Sequence, residues 1–166
     1  MRNEALFING IYEGTLEPIV EVQKDIPEQV LYLQPYSGYQ IKRLAEIKPS
    51  VNNPIRLFAS ITNDLSHIHY IGDIVGWEDK REMSDKRREK LNRIVEIQDE
   101  EIYLEIDGKE CINLIHVKNM KRLSKPFSVE ALTKISDNKP LSPNRTTAGG
   151  WAYVFDIEEY WLMKQL

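Results

Sequence analysis

Short apolar blocks separated by polar breaks run along most of this chain, and the densest of them lies between Ile55 and Lys80. Ile55 to Ile61 mixes β-branched, aromatic and small residues and predicts a strand. Thr62-Asn63-Asp64 predicts a turn. A second, adjacent strand is expected from about His67 to Trp77, carrying Ile68, Tyr70, Ile71, Ile74 and Val75. Gly72 and Gly76 interrupt it, and glycine inside a strand marks a bulge, a bend or a close backbone approach. Ser60, Thr62, Asn63 and Trp77 thus fall within one short region. That inventory suits a pocket for a flat ligand, and equally a plain hairpin in a barrel.

Around this centre the pattern predicts alternating strands and helices. Ala5 to Ile8 reads as a strand running into an Asn9-Gly10 turn. Thr15 is the expected cap of a helix that has Pro18 in its first turn, turns Leu16, Ile19, Val20 and Gln23 to one face, and stops by Pro27. Val30 to Gln34 reads as a strand broken by Pro35-Tyr36-Ser37-Gly38. A helix from Tyr39 to Ile47 follows, with Ile41, Leu44, Ala45 and Ile47 inward. Ser84 is the expected cap of a charged helix whose narrow stripe is Met83, Arg87, Leu91, Ile94 and Val95. Glu101 to Ile106 alternates, Asp107-Gly108 signals a hairpin turn, and Cys111 to Val117 is the returning strand. Pro126 is expected to stop that strand. Ser128 caps a short helix through about Lys134, Asp137 to Gly150 is a loop, Trp151 to Phe155 a last strand, and Ile157 to Leu166 a short helix.

Composition narrows the classes. At 166 residues, one domain spanning 1–166 is expected. A net charge of -4 excludes a polycationic nucleic-acid binder but not a local basic face. The one cysteine, Cys111, excludes an internal disulfide. With no signal-like leader and no span-length apolar run, a soluble cytoplasmic protein is expected, without membrane contact.

The chemistry on offer is sparse. There is no phosphate-binding glycine loop, dinucleotide fingerprint or nucleophile elbow. His67 and His69 share a strand face but have no third ligand at metal spacing, so no metal or cofactor is expected. His116 sits alone among apolar residues. Asp73 is the one acid inside an apolar strand. Tyr36, Tyr39, Trp77, Trp151 and Tyr153 all fall at ends of elements, where rings can line a cleft and stack on a base. Lys118, Lys121, Arg122 and Lys125 form a cationic strip with little acid nearby, which suits phosphate contacts.

The order of elements, the Leu57-Phe58-Ala59-Ser60 strand and the Ile71-Gly72-Asp73-Ile74-Val75 strand within GDIVGW resemble the PUA-like superfamily, nearest its EVE and ASCH branches. The resemblance covers most of the chain. It implies an α+β fold: a small, bent β-barrel with helices packed outside. It implies a pocket for an unpaired or flipped base, including a modified one, in DNA or RNA. Ser60, Thr62 and Asn63 would then offer hydrogen bonds, Trp77 a stacking wall, and Trp151 or Tyr36 the opposite side. Lys80, Arg81, Lys121, Arg122 and Arg145 would meet phosphates. The leading expectation is a non-catalytic reader. The ASCH likeness implies an alternative, an amidohydrolase on a modified nucleoside using Lys42, Thr62 and Glu78. A third reading is a protein-interaction module that docks through the Ser84–Ile97 helix.

Overall fold

The computed structural model describes residues 3–144 and 150–166. Six strands form one mixed sheet. They are β1 (Glu4–Ile11), β2 (Leu31–Leu33), β3 (Ile55–Ile61), β4 (His67–Asp79), β7 (Asn113–Ser128) and β8 (Trp151–Phe155). The order across it is β2-β7-β4-β3-β1-β8, with β1 and β3 parallel and the other pairs antiparallel. β5 (Glu105–Ile106) and β6 (Lys109–Glu110) make a separate small hairpin, turned by Asp107 and Gly108 at positive φ. The helices are α1 (Glu13–Asp25), α2 (Lys42–Ile47), α3 (Asp85–Val95) and α4 (Glu159–Met163). The fold is therefore α+β. Among the described residues no ladder joins β2 to β8, so hydrogen bonding leaves the sheet open.

Both faces of the sheet are buried, so the central strands read as unbroken apolar runs rather than alternations. One face gathers Leu6, Ile8, Leu31, Leu33, Leu57, Ala59, Tyr70, Ile115 and Val117 under α1 and α2. The other gathers Phe7, Phe58, Ile71, Phe127 and Val154 with Leu162 of α4. α3 lays Leu91 and Val95 on Tyr32 and Leu114 in a third cluster. The central glycines act as the pattern predicts. A side chain on Gly72 would strike Met120 Sδ at 2.2 Å, and one on Gly76 would strike His116 Nδ1 at 2.3 Å. β4 also shifts register against β7 after Ile68, Ile71 and Ile74. Such bulges bend a sheet.

Several boundaries differ from the sequence pattern, each for a local reason. Asn9-Gly10 is no turn: Gly10 takes φ 70 as a bulge inside β1. α1 starts before Thr15, on Tyr12, and Pro18 falls inside it; Leu16, Ile19, Val20 and Gln23 are its buried face as expected. Only Glu105–Ile106 of the alternating stretch forms a strand. Two amides before it are taken by side chains, Ile102 N–H by Asn92 Oδ1 and Tyr103 N–H by Gln34 Oε1. Pro126 does not stop β7, because beyond Val117 that strand has no ladder partner on the side away from β4, and an edge position tolerates proline. The Ser128 hydroxyl caps a single 3-10 turn, Val129–Ala131.

Candidate functional site

One large cleft, about 1060 Å³, opens beside the end of β1. Its walls come from Ile8 to Tyr12, from Tyr32 to Tyr39, from Thr62, from Glu100 and Tyr103, and from the β5–β6 hairpin. β1 and β2 stand four strands apart in the sheet order, yet both line it.

Four tyrosine rings border this space, each set by different local chemistry. Tyr12 precedes α1, and its ring folds back over Gly14, where a Cβ would sit 2.4 Å from the ring. Tyr36 and Tyr39 ride on the irregular segment after β2. That segment is stitched to β7: Asn113 Nδ2 donates to Tyr39 O at 2.8 Å, and Asn113 Oδ1 accepts from Ile41 N–H at 3.0 Å. Tyr103 stands in front of Lys80, whose ammonium lies 4.6 Å from its ring centre. Burial, then the neighbouring Cys111 thiol and Tyr36, push the Tyr103 hydroxyl above its ordinary pKa. Tyr32 also lines the cleft, but its ring is committed to His116, edge-on at 5.0 Å.

The residues expected to form a pocket are divided by the fold. Tyr36 and Thr62 line the cleft. Ser60 is fully buried behind it; its hydroxyl donates to Asn9 Oδ1 at 3.0 Å and accepts from Gly10 N–H at 2.8 Å. Asn9 and Gly10, not Ser60, reach the wall. Asn63 is exposed at the β3–β4 turn, outside the cleft lining. Trp77 and Trp151 pack against the inner core instead of forming a stacking wall. Trp77 Nε1 donates to Asn113 Oδ1 at 2.9 Å, so it supports the wall from behind.

The expected phosphate contacts divide as well. Lys80 is fully buried, a correction to its expected role as a phosphate contact. Its ammonium donates to Gln34 Oε1 at 2.9 Å and to the Tyr103 carbonyl, and lies 3.4 Å from Cys111 Sγ. Among the described residues no carboxylate is paired with it, and burial lowers its pKa. Arg81 is exposed but paired with Asp79 at 2.6 Å, and the Asp79 carboxyl is held down to about 2 by that pair and by Gln40. Lys121, Arg122 and Lys125 are exposed along outer β7. Arg122 lies 3.5 Å from Glu13, the residue next to Tyr12. Arg145 lies outside the described residues.

No family model, curated protein or solved structure matches this chain.

Two polar clusters lie away from the cleft lining. His116 is not alone: its Nε2 meets Glu78 at 2.6 Å, and Arg87 grips the same carboxylate at 3.0 and 3.1 Å. Glu78 is therefore held at about 2, chiefly by the His116 bond. Asp64 receives His69 at 2.9 Å and His67 at 3.0 Å. Burial opposes ionisation there, but the bonds from His69, His67 and Ser66 keep Asp64 below the usual carboxylate range. No group of three or more His, Cys, Asp or Glu among the described residues is arranged for a metal. Lys42, Thr62 and Glu78 are not brought together either. Lys42 is exposed at the start of α2, Thr62 is on the cleft wall, and Glu78 belongs to His116 and Arg87. Asp73 accepts from Asn119 Nδ2 at 2.8 Å on the surface. No described helix is long and apolar enough to cross a membrane.

The sequence pattern missed Tyr12, Asn9 and Tyr103 as wall residues. Gly14, two residues after Tyr12, was the available signal for the first, since it makes room for the ring. Nothing local marks the other two.

Proposed function

We propose that this protein is a non-catalytic binding module that holds a flat heteroaromatic ligand, an unpaired or modified base, in the tyrosine-bordered cleft. The observation that carries the reading is the convergence of Tyr12, Tyr36, Tyr39 and Tyr103 on one open space from three separate stretches of chain. Stacking on aromatic faces tolerates any base and contributes about 1–3 kcal/mol per base. The Thr62 hydroxyl, on the same wall, is placed to read the edge of the base. The same reading makes the sheet a bent, PUA-like barrel open at the cleft. It makes the exposed Lys121, Arg122 and Lys125 the contacts to the nucleic-acid backbone, with Arg122 tied through Glu13 to the cleft rim.

The test is calorimetric titration with the common nucleosides and with short single-stranded oligonucleotides. Tyr36→Ala and Tyr39→Ala, both at exposed rings, should each weaken base binding about tenfold or more while leaving the unfolding transition in place. Absence of binding by the parent protein to every nucleoside and oligonucleotide at low salt would overturn the reading.

A further inference from the structure

The described residues lining the cleft set the carboxylates of Glu100, Asp107 and Glu110 against the single ammonium of Lys109. Asp107, Lys109 and Glu110 are exposed on the rim hairpin, where water and salt screen them. Glu100 is different. It is half-buried and follows the 3-10 turn Glu96–Gln98, with its N–H donated to Val95 O at 3.0 Å. Both Glu100 and Thr15 line the cleft. The charged neighbours acting on it are Asp99 and Glu101, both acidic, and among the described residues no lysine or arginine is paired with it. Burial and those two acids raise its pKa. A carboxylate held this way gains from a cationic or N–H-bearing partner in the cleft. The faces of Tyr12, Tyr36 and Tyr39 attract cations for an independent reason, the negative face of the ring quadrupole, whereas Tyr103 already carries the Lys80 ammonium.

We propose that the cleft selects bases carrying a positive charge on the ring, N-alkylated purines and pyrimidines, over their neutral parents, with the ring stacked on the tyrosines and Glu100 facing the charge. This rests on the base-binding reading above and names the ligand class that the wall chemistry favours. Both wall features act in the same direction. A neutral base gains the stacking alone, whereas a cationic base gains the stacking, the ring quadrupole and the Glu100 carboxylate.

The experiment is titration of the whole protein, in neutral buffer, with two matched pairs: 1-methyladenosine against adenosine, and 3-methylcytidine against cytidine. In each pair the methylated nucleoside should bind about tenfold tighter than its parent. Glu100→Gln keeps the shape of the side chain and removes the charge. It should bring each pair to within about twofold, chiefly by weakening the methylated member. Equal affinities within both pairs for the parent protein would overturn the charge selection and leave base binding standing. No binding by any of the four nucleosides would overturn both. A preference that survives undiminished in folded Glu100→Gln would remove Glu100 from the proposal. The comparison in the parent protein decides charge selection even where that variant does not fold.

Discussion

The carboxamide of Gln98 is bonded twice to the main chain of Tyr32: Oε1 accepts its N–H at 3.0 Å, and Nε2 donates to its carbonyl at 2.8 Å. β2 is an edge strand, and Gln98 takes the place of the missing neighbour. Gln23 of α1 does the same for β7, donating to Val117 O at 3.0 Å and accepting from Met120 N–H at 2.9 Å. Both glutamines are buried. Each satisfies main-chain groups that burial would otherwise leave without partners.

Gln98→Leu keeps the volume and removes both bonds. Each buried main-chain group left unsatisfied costs about 1–3 kcal/mol, so the variant should lose about 3 kcal/mol in all. Urea unfolding should show a lower midpoint at an unchanged slope. Glu96→Gln, an exposed change in the same turn, should stay within about 0.5 kcal/mol of the parent.

Gly14→Ala separates cleft shape from stability. The new methyl group occupies the place of the Tyr12 ring, which is exposed and free to swing away. Alanine in place of glycine favours the helix by up to about 1 kcal/mol. Thermal stability should hold or rise, while ligand affinity falls because one wall ring has moved. A variant with lower stability and unaltered binding would contradict this placement of Tyr12.

Glu78 should dominate part of the acid limb of stability. Its carboxyl is held at about 2 in the folded state, from an ordinary value of 4.5, by His116 first and then Arg87. A lowered folded pKa gives stability that is complete above the ordinary value and drains away as pH falls towards 2. Allowing for solvent at a side chain 27% exposed, the contribution is on the order of 2 kcal/mol. Glu78→Gln should therefore be less stable than the parent near neutrality and show a flatter decline between those two values. Parallel declines in both proteins would mean that the His116 and Arg87 bonds do not favour the ionised form.

Lys121→Ala combined with Arg122→Ala addresses the exposed strip on β7. If both cations meet phosphates, oligonucleotide affinity falls for all sequences alike, and the slope of log affinity against log salt becomes shallower by about 1.4 for a single strand. Nucleoside affinity should not change, because neither side chain lines the cleft. An unchanged salt slope would place the backbone path elsewhere.

Much of the secondary structure was legible because it rests on local physics. β3 and β8 occupy the expected residues, and Ser84 caps α3 by accepting from Arg87 N–H. The buried face of α1 and the Asp107-Gly108 turn also follow from period and backbone freedom alone. Gly72 and Gly76 were legible as close approaches, though not what approaches them.

The candidate site was legible only in its ingredients. The sequence by itself determined an α+β chain with a central hairpin, aromatic residues at the ends of elements, and a cationic stretch after Val117. Tertiary structure alone decided which aromatics face the cleft, because it brings Tyr12, after β1, and Tyr36, after β2, to one opening and packs Trp77 and Trp151 against the core. It also decided the fate of the charges. Lys80 and Arg81 are neighbours in sequence, yet one is fully buried and the other is exposed. Local patterns record periodicity and backbone freedom, which depend on nearby residues. Burial and pairing depend on partners such as Gln34, Cys111 and Tyr103, far along the chain, and no local period encodes those.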